Sequence, residues 1–410
     1  MDNKIFATAL GITKPWFIEN LSFDAEKQLL SVHIDFNKGS RFSSPEVAGD
    51  HPLYDSRIKR YRHLNFFQHE CHLEVRVPRV KLPDGHIVLI DPPWAGKLSG
   101  FTLLFEALIL TLCQQMPFAA VARLVGLSWH RVHAICTRYV DLALAQADLS
   151  ELKSIAIDET SRHRGQDYIT VVADADARKV IFVDEGHGSG TIANFATELL
   201  LHGSGPDRIE SACIDMSPAY IRGVTDYLPN AKITFDKFHI IANASTALDR
   251  MRVIEQRTDV SLKVKGLRWA LLRDRNNLNP QQRADLDALV IEVVSKRTAR
   301  AWVYREQLRA ILNRKQIHVV RRMLHQWCTN VNRSKVEPMK KVAAMIRNHM
   351  EGIVQMARSR QTNGFIEALN GLFQAAKRKA RGYGRLITMR TVLFLIAGKL
   401  NFTDINPHAA

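Results

Sequence analysis

Ser154-Ile155-Ala156-Ile157-Asp158 and Ser211-Ala212-Cys213-Ile214-Asp215 are two short apolar runs, each closed by an aspartate. Runs of this length and composition read as buried strands of a central sheet. The ends of such strands are where an α/β sheet exposes chemically active groups. A lone aspartate at a strand end is commonly a turn former, so each of these residues argues little by itself. Two of them, closing comparable strands of one domain, argue more. Ser217-Pro218 then reads as a helix start that leaves Asp215 near the positive end of a helix dipole.

Working outward, a hairpin from Tyr168 to Val183 turns at Asp174-Ala175-Asp176-Ala177-Arg178. A helix near Ile192 to Leu201 precedes the Asp215 strand. A helix from Pro218 to Leu228 and a strand Lys232-Ile233-Thr234-Phe235-Asp236 follow it. Three strands, helix, strand, helix, strand is the order of a ribonuclease-H-like mixed α/β sheet. Asp236, with His239 nearby, either assists the site or caps the helix that begins there. A late helix, expected from Thr362 to Arg381 and stopped by Gly382, carries an apolar stripe of Ile366, Leu369, Phe373, Ala376 and Ala380. Its polar stripe holds Asn363, Glu367, Asn370, Gln374, Arg378 and Arg381. Carboxylates delivered from separate elements in this way can hold two hard divalent cations, Mg²⁺ or Mn²⁺, for phosphoryl transfer. Asp158, Asp215 and Glu367 are therefore the candidate catalytic and metal-binding residues.

The chain carries a net charge of +16 on 410 residues, and the excess is segregated. Residues 241–400 hold thirty-two Lys and Arg against eleven Asp and Glu, more than the whole-chain surplus, so the first 240 residues are slightly acidic. A polyanionic partner is expected, with phosphates tracked by Lys377, Arg378, Lys379 and Arg381. Between about residues 100 and 145 the spacing predicts a helix-turn-helix. Ala119 to Val125 forms the first helix and Gly126 the turn; Ser128 caps a second helix bearing His130, Arg131, His133 and Arg138. These residues are the expected contacts to double-stranded DNA. The same spacing also suits a plain helical hairpin.

Five cysteines, none in a Cys-x-x-Cys pair, argue against a disulfide framework. The start lacks a signal-peptide pattern, and the apolar stretch from Phe101 to Cys113 is too short to span a membrane. A cytoplasmic, nucleoid-associated protein with no membrane partner is the resulting expectation.

The residues also carry a resemblance. Ile157-Asp158-Glu159, Ile214-Asp215-Met216-Ser217-Pro218-Ala219-Tyr220, Phe235-Asp236-Lys237-Phe238-His239 and Asn363-Gly364-Phe365-Ile366-Glu367-Ala368-Leu369-Asn370 resemble the DDE transposases of bacterial insertion sequences, in the ISL-three group. The match runs from Tyr61-Arg62-His63-Leu64 to Arg390. It implies a metal triad of Asp158, Asp215 and Glu367, with Asp236 and His239 as neighbouring motif residues. It also implies an enzyme that binds the terminal inverted repeats of its element and cuts and joins DNA. One departure stands out: where the group carries two cysteine pairs in an N-terminal zinc module, this chain has Ser44 with Val47 and Leu82 with Gly85. Structural zinc is therefore not expected.

The expected organisation is a β-rich module over 1–95, the helix-turn-helix region over 96–149 and the first part of the catalytic domain over 150–243. A basic helical insertion over 244–355 and the completing part over 356–410 follow. Element ends and target DNA are the expected partners, and synapsis of two ends calls for a homo-oligomer on DNA. The alternative from another class is a DNA-binding regulator or domesticated protein whose nuclease fold is inert.

Overall fold

A computed structural model describes residues 6–8, 10–161, 168–258, 271–273, 277–292, 297–359 and 364–409. The chain divides into two compact units, Met1–Ala147 with Ala376–Ala410, and Asp148–Ala375.

In the first unit, β1 (Trp16–Asp24), β2 (Leu29–Phe36), β3 (Arg41–Ser43), β4 (Asp50–Phe66), β5 (His69–Lys81) and β6 (Ile87–Leu89) form one sheet. Its order is β1-β2-β5-β4-β3, with β6 on β5. Strict alternation makes β2 a strand with one buried face: Leu30, Val32, Ile34 and Phe36 point inward. Its parallel partner β5 sets Cys71, Leu73 and Val75 directly beside Leu30, Val32 and Ile34, so two apolar rows coincide. Trp16, Phe36, Phe42 and Trp94 close this core with edge and tilted ring contacts. Leu82 is buried in it and Val47 packs against it, while Gly85 closes a turn by donating to the Leu82 carbonyl and Ser44 accepts from Glu46 N–H. Apolar packing and turn chemistry thus occupy the four positions at which the resemblance implies thiolates.

Three helices follow: α1 (Leu103–Gln115), α2 (Phe118–Val125) and α3 (Trp129–Ala145). Gly126, at φ 69°, ends α2 in the left-handed region, and the Ser128 side chain accepts from Arg131 N–H to start α3, as the spacing predicts. Glu106 on α1 is the buried junction of this region. Its Oε1 accepts from Leu98 N–H at 2.8 Å; its Oε2 accepts from Lys97 N–H and from the Tyr139 hydroxyl of α3, both at 2.7 Å. Gly96 is needed beside it, because a Cβ there would lie 2.4 Å from the carboxyl carbon.

In the second unit, β7 (Ser154–Ser161), β8 (Tyr168–Asp174) and β9 (Lys179–Glu185) form an antiparallel meander. Then α4 (Ser189–Leu201), β10 (Ser211–Ile214), α5 (Pro218–Tyr227) and β11 (Lys232–Phe235) follow, giving the sheet order β11-β10-β7-β8-β9 with β10 and β11 parallel to β7. The helices α6 (Lys237–Thr258), α7 (Pro280–Glu292), α8 (Arg297–Leu312), α9 (Ile317–Asn332), α10 (Glu337–Asn348) and α11 (Met350–Ser359) share one apolar core with this sheet. Gly352 lets α11 close on the edge strand β11; a Cβ there would sit 2.4 Å from the Phe235 ring. Covering that edge removes a row of backbone groups that would otherwise template association.

Last come α12 (Gly364–Lys379) and α13 (Leu386–Ala397). Thr362 and Asn363, expected at the start of α12, lie outside the described residues. The expected segment 356–410 is divided: the boundary between units falls inside α12, and α13 joins the helix-turn-helix. There Thr388 Oγ1 meets His133 Nε2 at 3.1 Å, Thr391 meets Thr137, and Arg390 pairs with Asp141 at 3.0 Å.

Replacing Glu106 with Gln turns one accepting oxygen into a donor facing N–H or O–H groups, in a site without water access. A loss of about 1–3 kcal/mol is expected, read as a lower urea midpoint for the full-length protein; an unchanged midpoint would show that the junction contributes nothing net.

Candidate active site

Strand register builds the site. In β10 and β7, Ser211 lies beside Ser154 and Cys213 beside Ala156; in β10 and β11, Ile214 lies beside Phe235. Continuing these registers by one or two residues sets Asp215 between Asp158 and Asp236, all on one face of three adjacent strands about 4.8 Å apart. Ile155, Ile157, Ala212 and Ile214 alternate onto the opposite face and are fully buried.

One expectation is corrected here. Asp158 does not end its strand: β7 runs on to Ser161, with Asp158 paired to Val171, Glu159 to Thr170 and Thr160 to Ile169 of β8. The antiparallel partner continues the ladder after the parallel partner has turned away into α5. Asp158 therefore sits where β10 leaves the sheet.

Each aspartate has one oxygen fixed by the backbone. Asp158 Oδ1 accepts from Glu159 N–H at 2.8 Å, Asp215 Oδ1 from Ser217 N–H at 2.9 Å, and Asp236 Oδ1 from Phe238 N–H at 3.1 Å. The last two are turn and cap bonds that launch α5 and α6. The second oxygens differ. Asp158 Oδ2 accepts from Asn370 Nδ2 at 2.6 Å, whereas Asp236 Oδ2 is buried with no hydrogen-bond partner among the described residues and has His239 Nε2 3.9 Å away. Burial pushes the Asp158 carboxyl up to about 6; the Glu159 N–H and His239 act against that rise, and the charges of Asp215 and Asp236 add to it. Burial, then the Asp215 charge, also raises Glu159. Cys213 is pushed up to about 12 by burial, with Asp236 and Asp158 contributing.

Helix α12 crosses the same face. Besides Asn370, it sends Gln374 Nε2 to Thr160 Oγ1 at 3.1 Å, one pleat beyond Asp158. Position 367 lies one helical turn before Asn370 and shares its face with 370 and 374; the Glu367 side chain lies outside the described ones. The polar stripe was legible in the sequence, but Thr160 was missed, although its place two residues after Asp158 puts it on the same face. Among the described residues no group of three or more His, Cys, Asp or Glu could hold a metal ion. The donors that are described are hard carboxylate oxygens, one of them buried and unpartnered, which is the chemistry that suits Mg²⁺ or Mn²⁺.

The helix-turn-helix residues behave individually. Ser128 is the cap of α3, and His130 and Arg138 are exposed. Arg131 is exposed but anchored: its Nη2 donates to the Ser99 carbonyl at 3.1 Å and its guanidinium lies over the Phe101 ring at 4.4 Å. His133 is half-buried, stacked on Trp129 with ring centres 4.9 Å apart and bonded to Thr388. Trp129 itself, not singled out from the sequence, is 36% exposed at the helix start. Arg378, Lys379 and Arg381 are exposed and Lys377 half-buried at the C-terminal end of α12, where cations also meet the negative end of the helix dipole. No described helix is long and apolar enough to cross a membrane.

A family model described as transposase matches residues 155–393, and one described as the helix-turn-helix domain of transposase family ISL3 matches residues 90–140. The chain is 27% identical over 340 residues to the transposase for insertion sequence element IS1001 of Bordetella parapertussis, covering 81% of this chain and 82% of that protein. It is 25% identical over 416 residues to the transposase for insertion sequence element IS1557 of Mycobacterium tuberculosis, covering 93% and 92%.

Asn370→Ala leaves Asp158 Oδ2 without its donor in a buried setting. The variant should be about 1–3 kcal/mol less stable in EDTA, seen as a lower denaturation midpoint; a midpoint equal to wild type would mean the contact does not hold the carboxylate.

Proposed function

The chain belongs to the transposases of family ISL3, and from that premise we propose that Asp158, Asp215 and Glu367 are its catalytic carboxylates. The observation that carries this is the parallel register that aligns Asp158 with Asp215 on the face crossed by α12. Position 367, one turn before Asn370, is well placed to add the third carboxylate. A ribonuclease-H-like core is supported by the sheet order, an antiparallel three-strand meander extended from its first strand by two parallel strands. The core is formed by 150–243 and completed by α12, with the helices between them as an insertion.

In this reading the enzyme binds the terminal inverted repeats of its element and carries out strand cleavage and strand transfer. Asp158, Asp215 and Glu367 would hold Mg²⁺ or Mn²⁺, which would supply Lewis-acid activation of an attacking oxygen and charge stabilisation of a leaving oxygen. Asn370 holds the Asp158 carboxylate in place, and the Ser217 N–H does the same for Asp215. The apolar opposite face of the sheet keeps these groups on a rigid support. Helix α3 enters the major groove with His130 and Arg138 outward, and Arg131 braced on Phe101 presents its charge close to the turn. Lys377, Arg378, Lys379 and Arg381 hold phosphates. The N-terminal module docks without zinc. Joining two ends requires at least two copies on DNA, and a DNA partner places the work at the nucleoid. The inert-regulator alternative is not favoured, since both family models and both relatives are transposases.

Asp215→Ala in the full-length protein should lower Mg²⁺-dependent nicking of a duplex carrying the element's ends by at least about 100-fold, while gel-shift affinity for that duplex in EDTA is unchanged. Retained nicking would remove Asp215 from the chemistry. For recognition, His130→Ala should weaken binding to the ends more than to random duplex; an equal loss on both would assign His130 to phosphate contacts.

A further inference from the structure

We propose that Asp236 is a fourth carboxylate of this site, a divalent-cation ligand beside Asp215; the proposal rests on the reading of Asp158, Asp215 and Glu367 given above. Three observations lead to it. The first is register: β10 and β11 are parallel with Ile214 beside Phe235, and Asp236 N–H still donates to the Ile214 carbonyl at 3.2 Å, so the pairing reaches Asp236 itself. Asp215, on the central strand, therefore has a carboxylate on each side. Each neighbouring pair presents hard carboxylate oxygens from two adjacent strands.

The second is an oxygen without a partner. Asp236 is only 2% exposed, and its Oδ2 has no hydrogen-bond partner among the described residues. A buried carboxylate oxygen in that condition is destabilising unless something positive meets it. His239 Nε2, at 3.9 Å and 36% exposed, is too distant to be that hydrogen-bond donor.

The third is what capping leaves unexplained. Asp236 Oδ1 accepts from Phe238 N–H and starts α6, a task that asparagine or serine performs equally well at a helix N-cap. Nothing in that task calls for a second carboxylate oxygen buried on the strand beside Asp215. A cation does. Crowded acids that repel one another in its absence become ligands in its presence.

The test uses the full-length protein without DNA and the ion alone as probe. Mn²⁺ binding is measured by calorimetry for wild type, Asp236→Asn and Asp215→Asn, and thermal midpoints are measured in EDTA. Asp236→Asn is expected to weaken Mn²⁺ binding by at least about 10-fold or to remove one bound ion. Its midpoint in EDTA should match or exceed wild type, because the cap is kept and an unpartnered charge is gone. Asp236→Ser, which also keeps the cap, should behave alike. If Asp215→Asn loses Mn²⁺ and Asp236→Asn binds as wild type does, the fourth-ligand proposal is overturned and the three-carboxylate reading stands. If neither variant changes Mn²⁺ binding, that underlying reading fails as well. A midpoint in EDTA that falls for both Asp236 variants makes the carboxylate structural and overturns the proposal too.

Discussion

Everything at the acidic site depends on the register of three parallel strands. Side chains alternate faces with a period of two, so a slip of one residue in β10 against β7 would send Asp215 into the apolar layer and an isoleucine to the acidic face. The register is held from behind. Ile155, Ile157, Ala212 and Ile214 are buried in one cluster with Ile192, Phe195 and Val224 of the covering helices. Gly223 brings α5 against α4 so closely that a Cβ would lie 2.8 Å from Ile192 Cγ1. The fold fixes its acids by burying what stands between them in sequence.

That arrangement opposes stability locally and is tolerated because the apolar layer offsets it. Three aspartates on one face repel one another, and two of them are buried. Backbone N–H groups give each a fixed oxygen, which orients the carboxylates without neutralising them. Natural proteins commonly retain such unfavourable clusters where function needs them. The covered edge at β11 belongs to the same logic, since α11 lies over backbone groups through which the sheet could otherwise associate.

How much of this was legible in the sequence followed the range of the forces involved. The Ser128 cap, the Gly126 turn and the alternation of β2 are local signals, and they appear in the fold where the spacing places them. The extent of β7 beyond Asp158 was not legible, because it is set by pairing with β8. Strand β1 was hidden by a register shift between Ile18 and Asn20 that breaks its alternation. Strand β4 was obscured by its charged, proline-containing sequence, which forms a seventeen-residue strand because β5 offers it a long ladder. Likewise nothing near His133 in the sequence announces Thr388, and nothing near Arg131 announces that Phe101 lies beneath its guanidinium.

Ser128 and Asp236 show why local grammar stops short of function. Both start a helix by accepting a backbone N–H from a few residues ahead, and from the sequence alone both are adequately explained by that role. Ser128 is exposed and neutral, so its cap bond leaves no buried polar atom to explain. Asp236 is buried and has a second oxygen that the cap does not use. The difference between them is burial, which arises only when β11 is packed between β10 and α11 and the end of one strand is brought beside the ends of two others. A residue becomes a candidate for chemistry when its local role leaves a polar atom unaccounted for in a place where leaving it so is costly.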